Sequence, residues 1–185
     1  MAAASTSSRE PSLTLLCGLP GAGKTTFAAA LAARAGAVHL ESDRVRRLLF
    51  GEPVFSSREN SAVFAAIRGA VAALLEQGAG VIIDSTNLTE ADRTPFYRLA
   101  DRAAVRLAVV SVEAPEEVIE KRLAARMDAP DGYSFADLDV YHRMKGRVQA
   151  ISRDHLTVDT SDARAYELAL DRLAGAERPS ALARA

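Results

Sequence analysis

Between Thr14 and Leu31 the chain reads TLLCGLPGAGKTTFAAAL: an apolar run gives way to glycines, then a lysine and two threonines, and alanines resume. Gly18, Gly23, Lys24 and Thr25 satisfy the spacing G-x-x-x-x-G-K-S/T, placed between a strand pattern and a helix start. Few folds accommodate that arrangement. Glycines let the backbone curl with its N–H groups pointing inward, and the helix N-terminus adds partial positive charge, so the loop is built to hold phosphate oxygens. On this reading Gly18, Gly21, Ala22, Gly23, Lys24, Thr25 and Thr26 cradle the phosphates of ATP. Lys24 reaches the β- and γ-phosphates, and the Thr25 hydroxyl offers a hard oxygen ligand to Mg2+.

The remaining chain alternates strand and helix patterns. Apolar, β-rich runs begin at Leu13, Ala37, Gly80, Arg106 and His155. Their continuous apolar character predicts strands covered on both faces, as in parallel sheets. Helices are expected from Lys24 to Arg34, after Ser42, after a capping box at Ser56 and Glu59, after a second box at Thr89 and Asp92, and from Pro115. A further helix is expected to carry Phe135, Leu138, Tyr141, Met144, Val148 and Ile151 as a core stripe. The predicted fold is α/β: a three-layer phosphate-loop NTPase architecture with a mostly parallel five-stranded sheet and a helical lid.

Length and composition are compatible with this. A chain of 185 residues with 49% apolar content supports one core. We expect a disordered lead over residues 1–11, one domain over 12–175 and a frayed tail over 176–185. The net charge of −1 provides no global basic field toward nucleic acid or membrane. No stretch is long and apolar enough to span a bilayer. The single cysteine, Cys17, lies inside an apolar run and points to a reducing, cytoplasmic setting and a packed thiol. No obligate protein partner is evident.

In such a fold, chemistry collects after the strands. The second strand pattern runs into SDRVRR, which brings Asp43, Arg44, Arg46 and Arg47 to the cleft. A carboxylate there can orient or accept the proton of an attacking hydroxyl, while guanidinium groups pair with acceptor phosphates. Asp43 and Arg46 are the candidates; Arg44 and Arg47 read as solvated. The third strand ends VIIDSTN, placing Asp84 as a Mg2+ carboxylate, with Asn87 either capping the turn or touching substrate. Arg122 and Arg126, four residues apart on one helix face before a Pro-Asp-Gly turn, suit a cationic lid that excludes water from the transferring group. His39, His142 and His155 lack metal-ligand spacing and read as structural or surface residues. Arg143, Lys145 and Arg147 read as solvated.

A phosphate loop alone serves kinases, GTPase switches and motor ATPases. The chain has no N-K-x-D guanine-reading motif, and its length leaves little room for the extra domains of a motor. Taken together, GLPGAGKTT, SDRVR, IIDSTNL and KRLAAR resemble the P-loop kinases of the polynucleotide-kinase and zeta-toxin-like group, from Leu13 to about Asp159. The resemblance implies ATP and Mg2+ as cofactors. It also implies Asp43 as general base, Arg46 as acceptor-phosphate contact, Asp84, Thr86 and Asn87 as the family's D-x-T-N stretch, and Arg122 and Arg126 as lid arginines. The acceptor it implies first is a polynucleotide 5'-hydroxyl. Small-molecule kinases acting on antibiotics, sugars, nucleosides or sugar nucleotides look similar over the same motifs.

Overall fold

The computed structural model of the chain describes residues 10–127 and 138–175. Most of the expected lead, the expected tail and Phe135 lie outside the described residues, as do the side chains of Arg126 and Met127. The elements follow in the order β1 (Ser12–Cys17), α1 (Lys24–Ala35), β2 (Val38–Glu41), α2 (Ser42–Phe50), α3 (Ser57–Glu76), β3 (Val81–Asp84), α4 (Glu90–Ala103), β4 (Arg106–Glu113), α5 (Glu116–Met127), α6 (Leu138–Lys145), β5 (Leu156–Asp159) and α7 (Ala163–Gly175).

The strands form one sheet in the order β2-β3-β1-β4-β5, and every pairing is parallel. All six residues of β1 and all four of β3 are buried, as expected of largely apolar strands covered on both faces. The pleat then sorts the side chains by parity. Leu13, Leu15, Cys17, Val81, Ile83 and Val109 pack beneath α3 and α4, whereas Leu16, Ile82, Val110 and Val112 pack on the opposite face with α1 and α7. The two cores make the three layers.

Local signals account for the helix starts. Ser56 caps α3 by accepting the Glu59 amide at 3.2 Å, and Val63, Ile67, Val71 and Leu75 form the buried stripe. The expected capping box is only half present, because the Glu59 carboxylate accepts the Val54 amide instead of reaching back to Ser56. At α4 the box is complete, with Thr89 and Asp92 each accepting the other's amide.

The expected stripe after Phe135 needs correction. α6 ends at Lys145, before Val148 and Ile151. Only Leu138 and Tyr141 join the core beside α1; Val148 is 54% exposed, and Ile151 packs against the core on the other side of the sheet. Tertiary hydrogen bonds override the helical period here. The Gln149 amide donates to Leu88 O at 2.9 Å, and the buried Arg93 guanidinium donates to the carbonyl oxygens of Gln149 and Ala150. The chain therefore leaves the helix after Lys145 and is tied at Gln149 and Ala150 to Leu88 and Arg93.

Candidate active site

The loop between β1 and α1 is shaped by its glycines. Gly23, at φ 94°, starts α1 with no side-chain cap, and the first turn holds no acidic residue. α3 and α4, by contrast, carry hydroxyl caps and acidic first turns. The amides opening α1 thus keep their partial positive charge for an external anion. Lys24, 8% exposed, folds back across the loop and donates to Leu19 O at 2.9 Å. Gly18 N donates to Thr86 O at 2.9 Å, tying the loop to the end of β3.

Beyond the loop opens a cleft of about 660 Å³. One wall is Gly21, Gly23, Lys24 and Thr25; facing it are Glu41, Asp43 and Arg46 from the β2–α2 junction, and Asp84 and Asn87 from the end of β3. Asp43, Arg46, Asp84 and Asn87, expected at the second and third strand ends, therefore line the same cleft as the phosphate loop. The parallel sheet causes this, since each β-to-α turn falls on the same edge.

Arg46 is the unusual member. It is 4% exposed, donates from Nη2 to Asn60 Oδ1 at 2.6 Å, stacks over the Phe55 ring at 4.8 Å and lies 3.8 Å from Glu59. Among the described residues its Nε and Nη1 have no hydrogen-bond acceptor. Buried donors without acceptors cost free energy, about 1–3 kcal/mol each, more when charged. Both atoms are closed off from solvent and Nη1 faces the Glu59 carboxylate, so the cation is matched from within the protein at the lining of the cleft.

Asp84 is 3% exposed and is held by His39, whose Nε2 lies 3.1 Å from Oδ2. Glu41 pairs with Asp84 across β2 and β3. Burial pushes the Glu41 carboxyl above its ordinary range, and the Asp84 charge adds to that rise. The Thr25 hydroxyl and the Asp84 carboxylate are hard oxygen donors on the cleft wall, a donor set that fits Mg2+ shared with a nucleotide's phosphates.

Two expected contacts take other partners. Asn87, at φ 45° and 1% exposed, donates from Nδ2 to Leu16 O at 2.6 Å and accepts the Ser85 hydroxyl at 2.9 Å. It straps the end of β3 to β1 while lining the cleft. Arg122 lies behind the loop, where Nη1 donates to Thr160 Oγ1 at 2.8 Å and Gly21 O at 3.3 Å, and Nη2 to Thr160 O at 3.1 Å. It braces the loop instead of standing on a lid. The Arg126 side chain lies outside the described residues.

Several cleft residues escape the sequence motifs. Phe55, Asn60, Phe64 and Arg68 come from α3 and the loop before it, and Arg143, Met144 and Arg147 from α6 and just beyond. Arg143 and Arg147 are exposed, as expected, yet stand at the cleft. A half-buried helix face that mixes Phe64 with Arg68 was the only available signal. His39 carried no signal, because its partner lies on another strand.

Comparison with known proteins agrees with this geometry. No curated protein matches the sequence. Among solved structures, a proposed kinase from Chloroflexus aurantiacus J-10-fl aligns with a TM-score of 0.73 at 22% identity, over 91% of this chain and 96% of that one. The Mycobacterium tuberculosis APS kinase CysC, solved with AMPPNP and APS, aligns with a TM-score of 0.65 at 17% identity, over 87% and 96%. A gluconokinase from Sinorhizobium meliloti 1021 gives 0.62 at 21% identity, over 91% and 96%. These likenesses show a shared fold. Residues 13–151 match the family model described as AAA domain, and the chain belongs to that family.

Proposed function

We propose that this P-loop kinase transfers the γ-phosphoryl of ATP to a hydroxyl of a small molecule that also carries an anionic group. The observation that carries the reading is Arg46, a buried guanidinium that lines the same cleft as Asp43 and the phosphate loop. Phe55, Phe64, Val140 and Met144 line the same space, which supports a compact acceptor over an open polynucleotide track. The solved relatives named for APS and gluconate kinases point the same way.

The roles follow from position. Lys24 exchanges Leu19 O for phosphate oxygens when ATP enters. Thr25 and Asp84 would hold Mg2+, which when bound neutralises charge on the β- and γ-phosphates. Asp43 orients the acceptor hydroxyl and takes its proton as the new O–P bond forms and the bridging oxygen leaves with ADP. Arg46 fixes the acceptor's anionic end. Arg126 remains the candidate for a cation closing over the transferring group.

The test is to incubate the protein with labelled ATP and Mg2+ against sugar acids, sugar phosphates, nucleoside monophosphates, neutral sugars, aminoglycosides and 5'-hydroxyl oligonucleotides. Label on a small anionic acceptor is expected. Label on oligonucleotides alone would replace this acceptor with a polynucleotide. ATP hydrolysis without any labelled acceptor, equal in wild type and Asp43→Ala, would remove the kinase reading itself.

A further inference from the structure

Asp84 is a carboxylate that the fold buries almost completely, at 3% exposed. A charge in that position needs hydrogen-bond partners, and its orientation decides what else it can bind. Among the described residues the only hydrogen bond to its side chain comes from His39, at 3.1 Å. An ionised carboxylate can only accept, so the shared hydrogen sits on His39 Nε2.

The sheet register explains the meeting. β2 and β3 run parallel, with His39 opposite Ile82 and Glu41 opposite Asp84. His39 and Glu41, two residues apart, share one face of the sheet, and the imidazole leans toward the strand ends to reach Asp84. Glu41 sits beside Asp84 and Asp43 lies just beyond it. Three carboxylates at one strand edge repel each other, and His39 is the donor placed among them.

We propose that His39 is a positioning residue for nucleotide-bound Mg2+. By holding Oδ2 it fixes the plane of the Asp84 carboxylate and leaves Oδ1 for the cleft, where Thr25 stands. Partners behind a metal-binding carboxylate act in this way, and losing one typically costs 10–100-fold in metal affinity. The inference rests on the kinase reading, because it concerns the same Mg2+–ATP site.

The test compares His39→Leu, which keeps most of the volume and removes the donor, with His39→Gln, which restores an N–H₂ at similar reach. Binding of Mn2+ to the protein saturated with a non-hydrolysable ATP analogue is read by electron paramagnetic resonance. Nucleotide affinity without metal is read by calorimetry, and folding by thermal melting. For His39→Leu, Mn2+ affinity should fall about tenfold while metal-free nucleotide affinity stays within about twofold; His39→Gln should recover most of the loss. Unchanged Mn2+ affinity in His39→Leu overturns the inference. So does an equal loss in both variants accompanied by an equal drop in melting temperature, which would mark His39 as packing alone. Failure of the wild type to bind Mn2+ with nucleotide would instead bring down the Mg2+–ATP site itself, and this inference with it.

Discussion

Arg122 grips Thr160 at two points, its Nη1 2.8 Å from Oγ1 and its Nη2 3.1 Å from the carbonyl oxygen. Thr160 Oγ1 in turn donates to Ala22 O at 2.7 Å, and Arg122 Nη1 also reaches Gly21 O. The middle of α5, the residue after β5 and the phosphate loop are thus one hydrogen-bonded unit.

Arg122→Met should break that unit. The lost charge-assisted bonds predict about 1–3 kcal/mol of destabilisation, read from urea unfolding, together with weaker ATP binding. Arg122→Lys should recover only part, since an ammonium cannot present the same two-point fork.

Gly18 tests how closely the loop approaches β4. A Cβ at Gly18 would lie 2.3 Å from Val112 O, a backbone atom that moves only if the sheet does. Gly18→Ala should lower the melting temperature and weaken ATP binding by at least about tenfold, because the loop's amides would shift from the phosphates. Gly69, in α3 with nothing within 4 Å, is the control. Gly69→Ala should stabilise by about 0.5–1 kcal/mol through helix propensity.

Arg46 separates acceptor binding from folding. Arg46→Met removes two N–H groups that lack acceptors, while Glu59 keeps its bonds to the Val54 amide. Stability should fall by about 1–3 kcal/mol, since Asn60 Oδ1 loses its donor and the buried Glu59 carboxylate loses its cation. The KM for the acceptor should rise about a hundredfold with the KM for ATP nearly unchanged, in line with losing a buried, bidentate ion contact. Steady-state kinetics with each substrate varied in turn is the check.

Arg93 should behave in the opposite way. At 1% exposed, it donates to Asn87 O, Leu88 O, Gln149 O and Ala150 O and pairs with Glu90. Arg93→Met takes the guanidinium from all four carbonyl oxygens, of which Leu88 O keeps the Gln149 amide, and loosens the segment at Gln149 and Ala150. We expect a loss of about 3–5 kcal/mol, measured by chemical denaturation.

Cys17 offers a pH test. Burial pushes its thiol from an ordinary 9.0 up to about 12. Between those values the unfolded chain has lost this proton while the folded chain retains it, so the unfolded state binds fewer protons and stability falls as pH rises. Unfolding free energies of wild type and Cys17→Ala should therefore converge between pH 8 and 11. Thiol labelling of the native protein at pH 8 should be slow and become fast in denaturant.

The phosphate loop and the carboxylates after β2 and β3 were readable in the chain because each depends on neighbours within a few residues. Gly18 to Thr25 is a local spacing, Asp84 ends an apolar run, and Asp43 follows directly on a strand pattern. α4 was readable for the same reason, through Thr89 and Asp92. The helix expected through Val148 and Ile151 failed because its period competes with Arg93, more than fifty residues away in sequence. Arg122 looked like a lid residue because a helix face shows which residues lie together but not what that face meets.

Local sequence alone determined that this protein has a parallel α/β sheet with a phosphate site on its central strand, since strand, glycine turn and helix start are short-range properties of the backbone. Tertiary structure decided what surrounds that site. His39 beside Asp84, Arg46 between Phe55 and Asn60, and Arg122 clamped to Thr160 are contacts between distant segments. They follow from strand order, register and packing, and these decide what a side chain does once its own type has set what it is able to do.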